Sequence, residues 1–190
     1  MTGVQTCALP IFPFAKNNSG TVNITNNGKG ILYARLINRG KPAVGVEKEE
    51  QENIVSQVVY KSDKNEILDV SKLKQGTNFI MEVTIKNTGT LGDVENLALL
   101  NYIPSGWEIH NARMDGNEAT LQSATYDYQD IRDDKIMTYF NLKANQSKTF
   151  KFGLNASYCG TFYLPGINAE AMYDNSVFAR KKGMWIRVSK

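Results

Sequence analysis

The sequence predicts an all-β fold, an antiparallel β-sandwich of about seven strands, and three observations carry that expectation. Short segments with apolar residues at alternate positions recur along the chain; in residues 78–86 (NFIMEVTIK), Phe79, Met81, Val83 and Ile85 fall on one side. Alternate side chains of a strand share a face, so this period of two marks a half-buried strand. The segments are punctuated by Gly, Asn, Ser and Pro, residues that favour turns. The aromatic content, nine Tyr and eight Phe, suits pleated surfaces better than helices. Most connections are too short for a parallel crossover, hence the antiparallel expectation.

Taken in order, residues 21–25 (TVNIT) and 31–37 (ILYARLI) flank Asn26-Asn27-Gly28-Lys29-Gly30 and read as a hairpin, with Asn and Gly accepting the positive φ of a tight turn. Residues 38–53 hold Gly40, Pro42 and Gly45 and then the charge run Glu47-Lys48-Glu49-Glu50-Gln51-Glu52, expected to be a solvated linker and a domain boundary. Strands are expected over 54–60, 68–73, 78–86 and 97–103, the last (LALLNYI) apolar throughout and therefore a central strand or a short helical segment. Pro104-Ser105-Gly106 breaks the chain before Trp107-Glu108-Ile109. Residues 136–142 and 148–154 flank 143–147 (KANQS) as another hairpin, and 162–164, 169–173 and 184–188 complete the sandwich.

Composition bounds the function. The 190 residues carry a net charge of +3 with the charges dispersed, and the densest basic spot, Arg180-Lys181-Lys182, is too short for a nucleic-acid footprint. No apolar run reaches the length of a membrane span. Residues 1–14 (MTGVQTCALPIFPF) lack a basic start and are interrupted by Pro10 and Pro13, so they are not a secretion signal. The string TGVQTCALPI resembles translated sequencing-adaptor sequence. Residues 1–11 are therefore set aside as an artefact or a disordered leader, and the chain is expected to be a fragment of a longer one.

No self-contained catalytic site is visible. The single His, His110, lies five residues from Ser105, outside a GxSxG elbow, and a triad needs three groups to converge. Cys7 and Cys159 are far apart and without a CxxC partner, so no metal set arises, and Cys159 reads as a buried, inert thiol. Asp127, Asp130, Asp133 and Asp134 crowd one segment. They lack the spacing, Gly and terminal Glu of an EF-hand, and Arg132 and Lys135 offset them; a structural loop with Arg132 pairing is the better reading than calcium. Trp107 and Trp185 are expected in the core. No cofactor is called for.

Three stretches carry a family resemblance: Leu97-Ala98-Leu99 through Ile103-Pro104-Ser105-Gly106-Trp107-Glu108-Ile109; Asp130-Ile131-Arg132-Asp133-Asp134-Lys135 with Tyr139-Phe140; and Leu154-Asn155-Ala156-Ser157-Tyr158 with residues 160–165 (GTFYLP), 170–175 (EAMYDN) and Gly183-Met184-Trp185. Together they resemble the last macroglobulin-like domain of bacterial alpha-2-macroglobulins over residues 46–190. Leu32-Tyr33-Ala34-Arg35 and Arg39-Gly40-Lys41-Pro42 resemble the end of the preceding CUB-like domain, assigned to residues 12–45.

The resemblance implies a non-enzymatic part of a broad-spectrum endopeptidase inhibitor, a protease trap of the periplasm or cell envelope. It also implies that this domain packs beside and shields a thioester domain. The thioester motif CxEQ itself is absent, since Ala8-Leu9-Pro10 follows Cys7 and Gly160-Thr161-Phe162 follows Cys159. The implied partners are the thioester and CUB-like domains of one long chain and, through it, target proteases. Asp130, Arg132, Asp133, Asp134, Tyr173 and Asp174 are the candidate interdomain contacts. The competing reading is a cell-surface adhesin or carbohydrate-binding module, which requires an exposed aromatic platform.

Overall fold

The structure, a computed structural model, describes residues 25–28, 30, 31, 33, 48–110 and 123–190. The chain divides into two compact units, residues 1–41 and 42–190. In the first, Asn26 Oδ1 accepts from the Gly28 N–H at 3.0 Å and Asn26 Nδ2 donates to the Gly30 carbonyl at 2.7 Å, the side-chain-closed turn that Asn favours. The strands expected around this turn, apart from Thr25, Ile31 and Tyr33, and the leader 1–11 lie outside the described residues.

The second unit is all-β. Among the described residues there is no helix, and the strands are β1 (Glu50–Glu52), β2 (Ile54–Ser62), β3 (Lys72–Lys74), β4 (Asn78–Asn87), β5 (Val94–Tyr102), β6 (Glu108–His110), β7 (Tyr128–Arg132), β8 (Lys135–Leu142), β9 (Ser147–Asn155), β10 (Gly160–Leu164), β11 (Asn168–Ala171), β12 (Phe178–Arg180) and β13 (Met184–Ser189). They form a six-stranded sheet in the order β1-β12-β11-β5-β8-β7, a four-stranded sheet β2-β4-β9-β6 and a three-stranded sheet β10-β13-β3. All ladders are antiparallel except that between β13 and β3.

The two larger sheets face one another. Phe140 of β8 and Phe150 of β9 meet across the interior with ring centroids 4.7 Å apart, and both are fully buried. On β4 the alternation holds throughout: Phe79, Met81, Val83 and Ile85 point into this core. Burying each such side chain contributes roughly 1.5–3 kcal/mol. Residues 97–102 are strand, and β5 lies between β11 and β8 in the middle of the largest sheet. A bulge between Val94 and Leu97, with Asn96 at φ 56°, sets the register that turns Leu97 and Leu99 inward. Trp107 is buried as expected, edge-on to Phe79 at 4.8 Å and to Tyr60 at 6.1 Å.

Several expectations are overturned. The charge run is not wholly a solvated loop, because Glu50–Glu52 is an edge strand paired with β12. Of residues 68–73, only Lys72 and Leu73 are in a strand, which continues to Lys74. Residues 143–147 are not a hairpin: β8 belongs to the six-stranded sheet and β9 to the four-stranded one, so this turn carries the chain from one sheet to the other. The acidic segment is not a loop either. Residues 128–132 are strand β7, and Asp133-Asp134 is the tight turn into β8. Cys159 is exposed rather than buried, and Trp185 is 59% exposed, outside the core.

The outer face of the four-stranded sheet carries one charged cluster. Glu82 of β4 bonds Lys61 at 2.8 Å and Lys151 at 3.4 Å, and its side chain is only 14% exposed. The bond from Lys61 is the larger cause that holds its carboxyl below the ordinary range. A depressed carboxylate stabilises the fold above its unfolded pKa and loses that contribution as pH falls through the folded value. Glu82→Gln, which leaves two lysines without their shared anion, is therefore expected to lower stability by about 1–2 kcal/mol near neutral pH. Urea midpoints of the two proteins should converge as the pH drops below the carboxylate range; a pH-independent gap would refute the assignment.

Candidate interaction surface

The structure separates the six candidate contact residues into two groups. β5 links them, since its two ends meet one group each. At one end the Ile103 N–H donates to the Asp134 carbonyl at 2.8 Å, so the Asp133-Asp134 turn sits beside the end of β5. At the other, the Met172 N–H donates to the Asn96 carbonyl at 3.0 Å, which puts Met172, Tyr173 and Asp174 beside its beginning. The six residue steps from Asn96 to Tyr102 correspond to about 20 Å of strand. Asp130, Arg132, Asp133 and Asp134 therefore adjoin the end of β5 opposite to that beside Tyr173 and Asp174.

The acidic end is an exposed hairpin. Asp130 accepts from Arg132 Nε and Nη2, both at 3.0 Å, and Asp127 accepts from Asn141 Nδ2 at 2.9 Å. Two of the four carboxylates thus have partners within the chain, and β-strand alternation sends neighbouring side chains to opposite faces. Among the described residues no group of three or more His, Cys, Asp or Glu is placed to hold a metal ion.

The other end is a pinned turn with an apolar tip. Asp174 Oδ1 accepts from Ser176 Oγ at 2.7 Å and from the Ser176 N–H at 2.9 Å, and these bonds, the hydroxyl's first, hold its carboxyl below the usual range. Asn53, itself at φ 61°, donates from Nδ2 to the Ser176 carbonyl at 2.8 Å. Held in this way, the turn presents Tyr173 at 84% exposure and Met172 at 47%. Large apolar groups exposed on a rigid turn invite a partner surface. The sequence placed Tyr173 among the contacts, but the exposure of Met172 became visible only once β11 was seen to end at Ala171.

His110 ends the edge strand β6, and Ser105 is exposed in the turn before it. Cys159 donates to Gln75 Oε1 at 3.2 Å. A third feature escaped the sequence reading. On the three-stranded sheet, Trp185 packs edge-on against Tyr163 at 5.4 Å, on the side facing away from the core.

A six-stranded sheet packed on a four-stranded one, with mostly antiparallel pairing, is the architecture of a macroglobulin-like β-sandwich. The family model described as "Bacterial Alpha-2-macroglobulin MG10 domain" matches residues 45–175, and the chain belongs to that family. It is 26% identical over 166 residues to alpha-2-macroglobulin of Rickettsia conorii, covering 84% of this chain and 8% of that protein. A segment of circularly permutated Ras protein 2 of Dictyostelium discoideum is 27% identical over 174 residues, 87% of this chain and 4% of that protein. In structure, Salmonella alpha-2-macroglobulin is similar with a TM-score of 0.67 at 19% identity, over 80% of this chain and 10% of that one. The chain thus spans less than a tenth of the length of these curated relatives.

Proposed function

We propose that this chain supplies the C-terminal macroglobulin-like domain of a protease-trapping bacterial alpha-2-macroglobulin, an endopeptidase inhibitor of the periplasm or cell envelope. In this reading residues 46–190 are that domain and residues 12–45 the tail of a CUB-like domain. The domain performs no catalysis. It packs beside the thioester domain of the longer chain and keeps water from it. The observation that supports this role is the Met172–Tyr173 tip: a thioester is protected from hydrolysis by apolar cover, and this turn holds an apolar cover rigidly outward. The acidic hairpin, Asp130 to Asp134, faces a different neighbour because it lies at the opposite end of β5.

The test uses the full-length parent protein. Replacing Met172 and Tyr173 together with Ser is expected to shorten the thioester lifetime about tenfold, read as the rate at which a free thiol appears in buffer; each tenfold corresponds to about 1.4 kcal/mol of barrier. Asp133→Ala with Asp134→Ala is expected to weaken domain packing and protease capture. An unchanged thiol-release rate for the first variant and unchanged capture for the second reject these assignments.

The carbohydrate-binding alternative keeps one observation in its favour, the exposed Trp185 with Tyr163 beside it.

A further inference from the structure

The outer face of the three-stranded sheet has no role in the turn-mediated cover just described. Its composition follows from the register. Leu73, Ile186, Val188 and Leu164 point inward and are buried. By strand alternation Lys72, Lys74, Trp185 and Arg187 point outward, and all four are exposed. Tyr163 stands opposite Trp185 in the ladder with β10, and their rings meet edge-on at 5.4 Å.

Two properties of this face point outward. Arg187 is in register with Lys72 on the adjacent strand, and like charges directly opposite one another destabilise a sheet. The strands of the face contain no Asp or Glu to relieve them, and the nearby Asp69, which feels Lys72, accepts two bonds from Ser71 at 2.9 Å. Second, the outward set is Tyr, Trp and Arg with lysines at its margin, the types enriched in protein–protein contacts and, for Lys, tolerated at their rims. A sugar platform grips hydroxyl groups with amide and carboxylate side chains set around the aromatic ring. β3, β10 and β13 contain no Asn, Gln, Asp or Glu.

We infer that the outer face of the three-stranded sheet, centred on Trp185 and Arg187, is a docking surface for an acidic protein surface with an apolar centre. The carboxylates of the partner neutralise Arg187, Lys72 and Lys74, and its apolar centre covers Trp185 and Tyr163. This surface is independent of the Met172–Tyr173 turn, so either assignment stands without the other.

The probe is a short, soluble, fluorescently labelled peptide rich in Glu and Leu, titrated against the 190-residue chain and followed by anisotropy. Saturable binding is expected, weakened about tenfold between low and physiological salt, as screening of several charges requires. Trp185→Ala and, separately, Arg187→Ser are each expected to weaken it at least about fivefold, in line with loss of an interface anchor. Lys64→Ser, in the turn after β2, should leave it unchanged. Circular dichroism melts identify any variant that has lost its fold, and Lys72→Ser with Lys74→Ser, on the short edge strand β3, supplies a second route to the same loss. Three outcomes overturn the proposal: no saturable binding, equal affinity in wild type and face variants, or tighter binding of polygalacturonate than of the peptide, which assigns the face to carbohydrate.

Discussion

Phe140→Ala is expected to lower the unfolding free energy by about 4 kcal/mol, in the middle of the range for deleting a buried aromatic ring. Phe140 is wholly inaccessible on β8, between β5 and the edge strand β7 of the larger sheet, and its ring reaches Phe150 of the opposing sheet at 4.7 Å. Removing it deletes contacts to both sheets at once and leaves a cavity that neither rigid ladder can close. For a domain of this size each kcal/mol shifts the melting temperature by about 2–4 °C, so the expected fall is roughly 8–16 °C. Tyr128→Ala is the comparison. Tyr128 touches Tyr139 at 5.9 Å but is 61% exposed, and its loss is expected to cost under about 1 kcal/mol. Equal melting temperatures for the two variants would contradict the sandwich described here.

The elements that were legible in the sequence are those whose own side chains report their surroundings. β4, β8 and β9 alternate because one face of each is core, and that period of two is visible without any partner. β1 (EQE), β7 (YQDIR) and β12 (FAR) were not read as strands. β1 and β7 are sheet edges, polar on most positions, and β12 is only three residues long; all three are strands because a neighbour supplies hydrogen bonds, not because their own pattern demands it. The turn at 143–147 shows a different limit. Asn145 at φ 61° makes the same kind of tight turn whether the chain returns to the same sheet or crosses to the opposite one, so local chemistry could not choose between them.

Trp185 was misplaced for a third reason. In β13 the sequence Trp-Ile-Arg-Val offers two phases, Trp and Arg on one side or Ile and Val on the other. A single large aromatic argued for the first. Two β-branched residues took the core, and Trp185 went out with Arg187. The candidate contacts were legible as residue types and not as a site, because their separation along β5 depends on which strand ends adjoin, a tertiary fact.

The same kind of tertiary fact makes Gly166 a sensitive position. The three-stranded sheet is joined to the six-stranded one by two crossings, from β10 to β11 and from β12 to β13. These crossings touch: the Lys181 N–H donates to the Ile167 carbonyl at 2.8 Å, and a methyl group at Gly166 would run into the Lys181 carbonyl oxygen. At Gly183, on the second crossing, it would meet the Tyr163 hydroxyl and the Leu164 carbonyl. A backbone obstacle cannot swing aside as a side chain can. Gly166→Ala is accordingly expected to cost about 3 kcal/mol, at the top of the overpacking range, and roughly 6–12 °C in melting temperature. Its signature is regional. Amide exchange should accelerate first in β3, β10 and β13, which depend on the crossings, while β4 and β9, paired over nine residues within the four-stranded sheet, keep their protection. Uniform acceleration across all three sheets, or a melting temperature within about 2 °C of the parent, would show that the crossings do not hold the small sheet in place.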